Sequence, residues 1–367
     1  MRLNTSLCIS ADSHVVEPPE LFVPLRKHFG EQAPHIQFLD DRGPTLNLGN
    51  GQLGMGVGGF LQAGLDFGRD PRALGKKGYE LARPGVFDVK ARAEDQDLDG
   101  IDAEVIYPSI MFSVYQIENV EILKASFACY NDWTADYCKD SPGRLFPLAC
   151  IQLYDLDAAI AEMARAKKMG HVGVCIPATA PPNRLYSDPW YEPFWAAAQA
   201  MRMPLTMHIF TGATPNHGMP FRIGQNALAF AGICFTIYDI IFSKVCERFP
   251  DLKFVITEFE TGWIGHLLRR FEHNWYRGGS RSLAVNPIEY WKQNFLATFE
   301  DDPIGIRTRD FSGVNTLLWG SDYPHGDSIF PDSQAILDRI MTDCSPEERY
   351  AMTVKNVVQL YDLPFEV

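Results

Sequence analysis

The chain has 367 residues, 46% of them hydrophobic and 22% charged, with a formal net charge of −13. That length holds one large α/β domain or two ordinary ones, and the mix is that of a folded chain rather than a disordered one. The acidic balance argues against nucleic acid or an anionic membrane as partner, no apolar run reaches the ~18 residues that span a bilayer, and "MRLNTSLCIS" lacks the apolar core of a signal peptide.

The first strand candidate is "LCISAD" (7–12), followed at once by His14. Residues 23–90 come next. They fit neither the helical nor the strand period, are rich in Gly and Pro, and centre on "GNGQLGMGVGGF". No GK[ST] follows those glycines, so a phosphate-binding loop is not indicated. A flexible insertion serving as lid or pocket wall is expected there.

Seven further strand candidates follow: "AEVIYP" (103–108), "FPLACIQ" (146–152), "VGVCIP" (172–177), "PLTMHI" (204–209), "KFVITE" (253–258), "FLATFE" (295–300) and "TLLWGSD" (316–322). They are near-continuous apolar runs, as parallel strands covered on both faces require. Between them, "LDAAIAEMARAKKMG", "WYEPFWAAAQAMRM", "TIYDIIFSKVCERFP" and "WIGHLLRRFEHNW" carry apolar residues at helical spacing. Gly170 stops the first of these and Pro250 the third. Eight strands alternating with helices predict an α/β fold, a (β/α)8 barrel with a long insertion after strand 1, built as one domain over 1–367. A doubly wound open sheet is the alternative, but it wants a phosphate-binding glycine turn after strand one, which is missing. The eight cysteines are scattered without a CxxC, which fits reduced, mostly buried thiols and a cytoplasmic chain.

In a barrel of this kind the reactive groups sit at the C-terminal strand ends. Those ends hold Asp12 and His14 on strand one, His208 on strand five, Glu258 on strand six and Asp322 on strand eight. Any one of them alone is ordinarily a turn former or helix cap. Together, imidazole nitrogens and carboxylate oxygens suit Zn²⁺ or Mn²⁺, with an open position for catalysis.

The ordered set "ADSH", "GIDAEVIYPS", "SDPWYEPFWAAAQAMRMPLTMHIFTG" and "GSDYPHGDS" resembles the amidohydrolase superfamily, in the branch of aminocarboxymuconate semialdehyde decarboxylase and γ-resorcylate decarboxylase. The resemblance runs over nearly the whole chain and is weakest in 23–90. It implies one divalent metal, Zn²⁺ or Mn²⁺, held by Asp12, His14, His208 and Asp322. One departure stands out. Relatives that decarboxylate have a histidine at the end of strand six, where this chain has Glu258. Glu258 is therefore expected as the proton donor, with a structural acceptor or a fifth metal ligand as alternatives. His325, three residues after Asp322, reads as a donor to the substrate carboxylate or a proton shuttle, or else as a turn cap. His217 and Arg222, after strand five, and Arg269, matched to an arginine near the substrate in relatives, are weaker candidates for substrate contact.

The resemblance implies non-oxidative decarboxylation of a small aromatic or enol carboxylic acid. Hydrolysis of an amide, lactone or C–C bond, with Asp322 as base, is the alternative. A non-catalytic binding protein is a further one, disfavoured because all four matched positions hold competent ligands. A homodimer or higher homo-oligomer is expected.

Overall fold

The structure, a computed structural model, describes residues 7–65, 75–181, 183–212, 225–278 and 283–367. Its strands are β1 (Ile9–His14), β2 (His35–Leu39), β3 (Gly43–Asn47), β4 (Leu53–Gly56), β5 (Ala103–Tyr107), β6 (Leu145–Cys150), β7 (Gly173–Pro177), β8 (Leu205–His208), β9 (Phe254–Thr257), β10 (Phe295–Phe299) and β11 (Leu317–Trp319). All eight strands expected from the sequence are present. They form one sheet in the order β1-β5-β6-β7-β8-β9-β10-β11, the chain order of a (β/α)8 barrel. The pairs β1–β5, β5–β6, β7–β8, β8–β9 and β9–β10 are parallel. Apart from Phe146 of β6, every residue of the eight is buried, which is why they read as unbroken apolar runs rather than alternating ones.

Two compact units make up the chain. The first comprises Met1–Gln152, Lys168–His171 and Trp319–Arg339. Its helix Val89–Asp99 starts at Asp88, whose carboxylate accepts from the Lys90 and Ala91 N–H groups, and ends at Gly100 in the left-handed conformation. That helix buries Arg92, which donates from Nε to the Glu104 carboxylate of β5 at 2.8 Å and from Nη1 to the His14 carbonyl at 2.6 Å. The long helix Val120–Cys138 is capped by Asn119 and locked to β6 by Asn131, which exchanges two hydrogen bonds with the Cys150 backbone.

The insertion differs from its sequence reading. Instead of a flexible loop, residues 35–56 form a three-stranded antiparallel sheet, β2-β3-β4, with β3 wholly buried and its neighbours half-buried or exposed. "GPTLN" and "LGMG" have little strand propensity of their own. Their order comes from packing, since sheet propensity is mostly fit to a surrounding surface. The following turn, Val57–Phe60, docks on the segment after β11, where Gly59 O accepts from Gly326 N at 3.1 Å and Pro324 O accepts from Gln62 N and Ala63 N.

The second unit comprises Leu153–Lys167, Val172–Leu318 and Ile340–Val367. Its core is aromatic. Trp195 stacks on Tyr191 and meets Phe254 of β9 edge-on, and Phe254 stacks on Phe295 of β10, which lies flat on Trp291. The helices Leu156–Met169, Glu192–Met201 and Ile264–Tyr276 match three of the predicted ones, whereas the third prediction, 236–250, is broken at a left-handed Lys244 into Phe230–Phe242 and Val245–Arg248.

Candidate metal centre

In the first unit, β1 pairs with β5 in register at Ser10 and at Ser13, with the register shifted between them. A bulge of this kind re-aims the side chain it carries, here Asp12. The segment after β11 is stitched to the bulged strand. Asp322 N donates to Asp12 O at 2.9 Å, His14 N to Tyr323 O at 2.6 Å, and Ser321 N to the Ser10 hydroxyl at 3.0 Å. Gly320 makes this approach possible, because a Cβ there would collide with the Asp12 Cβ.

These bonds bring Asp12, His14, Asp322 and His325 together, all buried. His14 Nε2 lies 3.4 Å from Asp12 Oδ1 and 3.2 Å from Asp322 Oδ1. Its Nδ1 lies 2.7 Å from the Pro108 carbonyl, an acceptor only, so the hydrogen sits on Nδ1 and the Nε2 lone pair faces the carboxylates. The His325 ring stacks on His14 at 3.8 Å and 27°, with Nδ1 2.8 Å from Asp322 Oδ1. Each of His14, Asp322 and His325 offers a ligand atom within 4.8 Å of the others, as do Asp12 and His14. Asp322 takes a φ of 53°, a left-handed conformation that aspartate tolerates better than most residues.

In the second unit, β8 ends on His208, in register with Thr257, the last residue of β9. Glu258 follows directly, with φ 64° and its N–H on the Thr298 hydroxyl at 3.0 Å. His208 repeats the logic of His14. Nδ1 donates to the Ile209 carbonyl at 2.9 Å, and Nε2 faces Glu258 Oε2 at 3.1 Å. Each unit thus presents a preset imidazole lone pair opposite carboxylate oxygen, the donor types that a divalent ion of the Zn²⁺ or Mn²⁺ kind takes.

The weaker candidates fare differently. Arg269 lies on the helix Ile264–Tyr276, its side chain 66% exposed and ion-paired with Glu272. His217 and Arg222 lie outside the described residues. Two residues escaped the sequence reading. Glu17, fully buried, accepts from the N–H groups of Ser109 and Ile110 at 3.0 Å each, and Ser109 reaches His325 Nε2 at 2.8 Å. Burial pushes the Glu17 carboxyl up from 4.5 to about 7 against the pull of those backbone donors. The sequence offers only a lone acid inside "VVEPP" and a serine two residues past a barrel strand, neither of which marks a function by itself.

The barrel strand ends carry candidate metal ligands, and comparison with known proteins gives the chain a family. Residues 82–363 match the family model described as Amidohydrolase, and the chain belongs to that family. It is 24% identical over 219 residues to a γ-resorcylate decarboxylase of Polaromonas sp., a stretch covering 53% of this chain. The chain thus spans 64% of the length of that curated relative. Among solved structures, an amidohydrolase of Mycobacterium avium subsp. paratuberculosis superposes with a TM-score of 0.78 at 18% identity, covering 98% of this chain and all of that one. A dihydroxybenzoic acid decarboxylase of Polaromonas sp., solved with manganese and the inhibitor 2-nitroresorcinol, gives 0.66 at 15% identity, covering 99% of this chain and 98% of that one. At such identities these two likenesses speak for the fold.

Proposed function

We propose that this chain is a metal-dependent carboxy-lyase, removing CO2 without oxidation from a small aromatic or enol carboxylic acid. The observation that carries this reading is the pair of histidines, His14 and His208, each fixed by a backbone carbonyl with its Nε2 lone pair opposite a carboxylate. Asp12, His14, His208 and Asp322 are the proposed ligands of one divalent ion, Zn²⁺ or Mn²⁺. The manganese and the dihydroxybenzoic acid substrate class named for the Polaromonas enzyme support that choice. When bound, such an ion supplies a Lewis-acid anchor for a carboxylate and a neighbouring hydroxyl.

Glu258 hands its proton to the ring carbon as the bond to the carboxylate breaks. The bonding pair stays with the ring carbon, CO2 leaves neutral, and water returns a proton to Glu258. His325, hydrogen-bonded to Asp322, holds that carboxylate in place. The insertion 23–90 walls the substrate pocket, a role supported by Phe60, whose ring lies 4.8 Å from that of His325. Hydrolysis of an amide, lactone or C–C bond, with Asp322 as base, is the second reading. It is favoured by Glu258 standing where decarboxylating relatives have histidine.

The chain is further inferred to act in the cytoplasm as a homodimer or higher homo-oligomer. All eight cysteines are free, and no helix among the described residues is long and apolar enough to cross a membrane. Phe235 and Tyr238, 69% and 52% exposed on one helix, offer an apolar face for self-association.

The deciding experiment incubates Mn²⁺- or Zn²⁺-loaded protein with hydroxybenzoates, lactones and amides, reading CO2 and acid release separately. CO2 from a hydroxybenzoate is the expected result. Acid release from a lactone or amide with no CO2 from any carboxylate would replace this reading with the hydrolytic one.

A further inference from the structure

The two residues just after β5 reach the two candidate-site histidines of the first unit, His14 and His325. Pro108 accepts the Nδ1 hydrogen of His14. The hydroxyl of Ser109, fully buried, lies 2.7 Å from the Val15 carbonyl and 2.8 Å from His325 Nε2. A hydroxyl brings one hydrogen and a carbonyl brings none. The Ser109 hydrogen therefore goes to Val15, and the hydrogen of the second contact belongs to His325 Nε2. That leaves Nδ1 as the ring nitrogen on Asp322 Oδ1, at 2.8 Å. Ser109 is itself held, because one Glu17 oxygen accepts its N–H and the other accepts that of Ile110. Stacking on His14 and the Phe60 ring fix the plane of the His325 ring.

We propose that Ser109 is a positioning residue: its hydroxyl oxygen accepts from His325 Nε2 and so holds the ring with Nδ1 on Asp322, with Glu17 fixing Ser109 in turn. The role matters for catalysis only through Asp322 and His325, and to that extent rests on the function proposed above. Orientation of a histidine by a hydrogen bond to its far nitrogen is the same device that tunes metal-site imidazoles.

The test reads the ring directly, on metal-free protein labelled with ¹⁵N-histidine. His325→Gln identifies the His325 signals by their loss. The wild type should show a hydrogen-bearing Nε2 whose N–H exchanges slowly with water. In Ser109→Ala that exchange should quicken at least about tenfold and the ring nitrogen shifts should move, because the acceptor is gone. Ser109→Cys keeps the volume with a poorer acceptor and should fall between the two. It also serves in place of the alanine variant if that one does not fold. A folded Ser109 variant with wild-type exchange and ring shifts would overturn the proposal. On the metal-loaded enzyme, kcat should drop about tenfold with KM and metal content unchanged. If no carboxylic acid is turned over, the decarboxylase reading falls and the ring measurement still decides this one.

Discussion

Glu258 occupies a left-handed backbone conformation that costs a non-glycine residue about 1–2 kcal/mol. Strain of this kind persists where the surroundings impose it and is concentrated at functional positions. Here the Thr298 hydroxyl holds the Glu258 N–H while its oxygen meets His208. Glu258→Gln keeps the volume and cannot ionise. It should leave metal content and melting temperature near wild type while turnover falls about 10²–10⁴-fold. The pH profile of kcat should lose the limb belonging to this carboxyl group. Near-normal turnover, measured on a preparation with full metal, would transfer the proton to Asp322 assisted by His325 and favour hydrolysis. The acid at the strand end was legible in "VITEFE". The conformation that aims it was not, because nothing in a run of apolar residues announces a positive φ one position beyond it. Ser109 and Glu17 were illegible for a related reason: their work is to satisfy backbone groups and a distant ring, and neither leaves a period or spacing in the chain.

The barrel strands were readable as elements because burial on both faces writes itself as continuous Val, Ile, Leu and Phe. The antiparallel sheet β2-β3-β4 was not, since Pro44, Gly54 and Gly56 weaken its local signal and packing overrides it. The meeting of β1 with the segment after β11 lies between these cases. "ADSH" and "GSDYPH" flagged the ligands, but only the structure shows that the two backbones touch, through Asp322 N on Asp12 O. Gly320 is the residue that lets them. A Cβ there would meet the Asp12 Cβ and stand 3.1 Å from its nitrogen, neither of which is a flexible side-chain end. Gly320→Ala must move one backbone, and overpacking of this kind typically costs about 1–3 kcal/mol. The variant should keep its far-ultraviolet circular dichroism, melt a few degrees lower and bind metal at least about tenfold more weakly. Wild-type metal affinity, read by titration, would show that Asp12 is not held where metal binding needs it.

At the scale of the whole molecule, the ligands proposed above, Asp12, His14, His208 and Asp322, would make metal binding part of folding stability. Anything that binds the folded chain and not the unfolded one stabilises it by RT ln(1 + [M]/Kd), about 2.7 kcal/mol at a free metal concentration a hundred times Kd. Unfolding entropy grows with chain length, so for 367 residues that increment corresponds to about 3–4 °C of melting temperature. Stripping the ion with a chelator should lower the melting temperature by that order, and adding back Mn²⁺ or Zn²⁺ should restore it in proportion to the logarithm of concentration. The size of the shift cannot by itself assign ligands, because a surface ion on a chain of net charge −13 would also stabilise. His208→Ala separates the cases. It removes an imidazole that is 1% exposed, so the variant starts from a lower melting temperature through lost packing alone. What identifies a ligand is the response: the metal-dependent increment should vanish in His208→Ala while surviving in Arg269→Ala, whose side chain faces solvent. An increment of wild-type size in His208→Ala would remove His208 from the proposed ligands and leave Asp12, His14 and Asp322 to hold the ion without it.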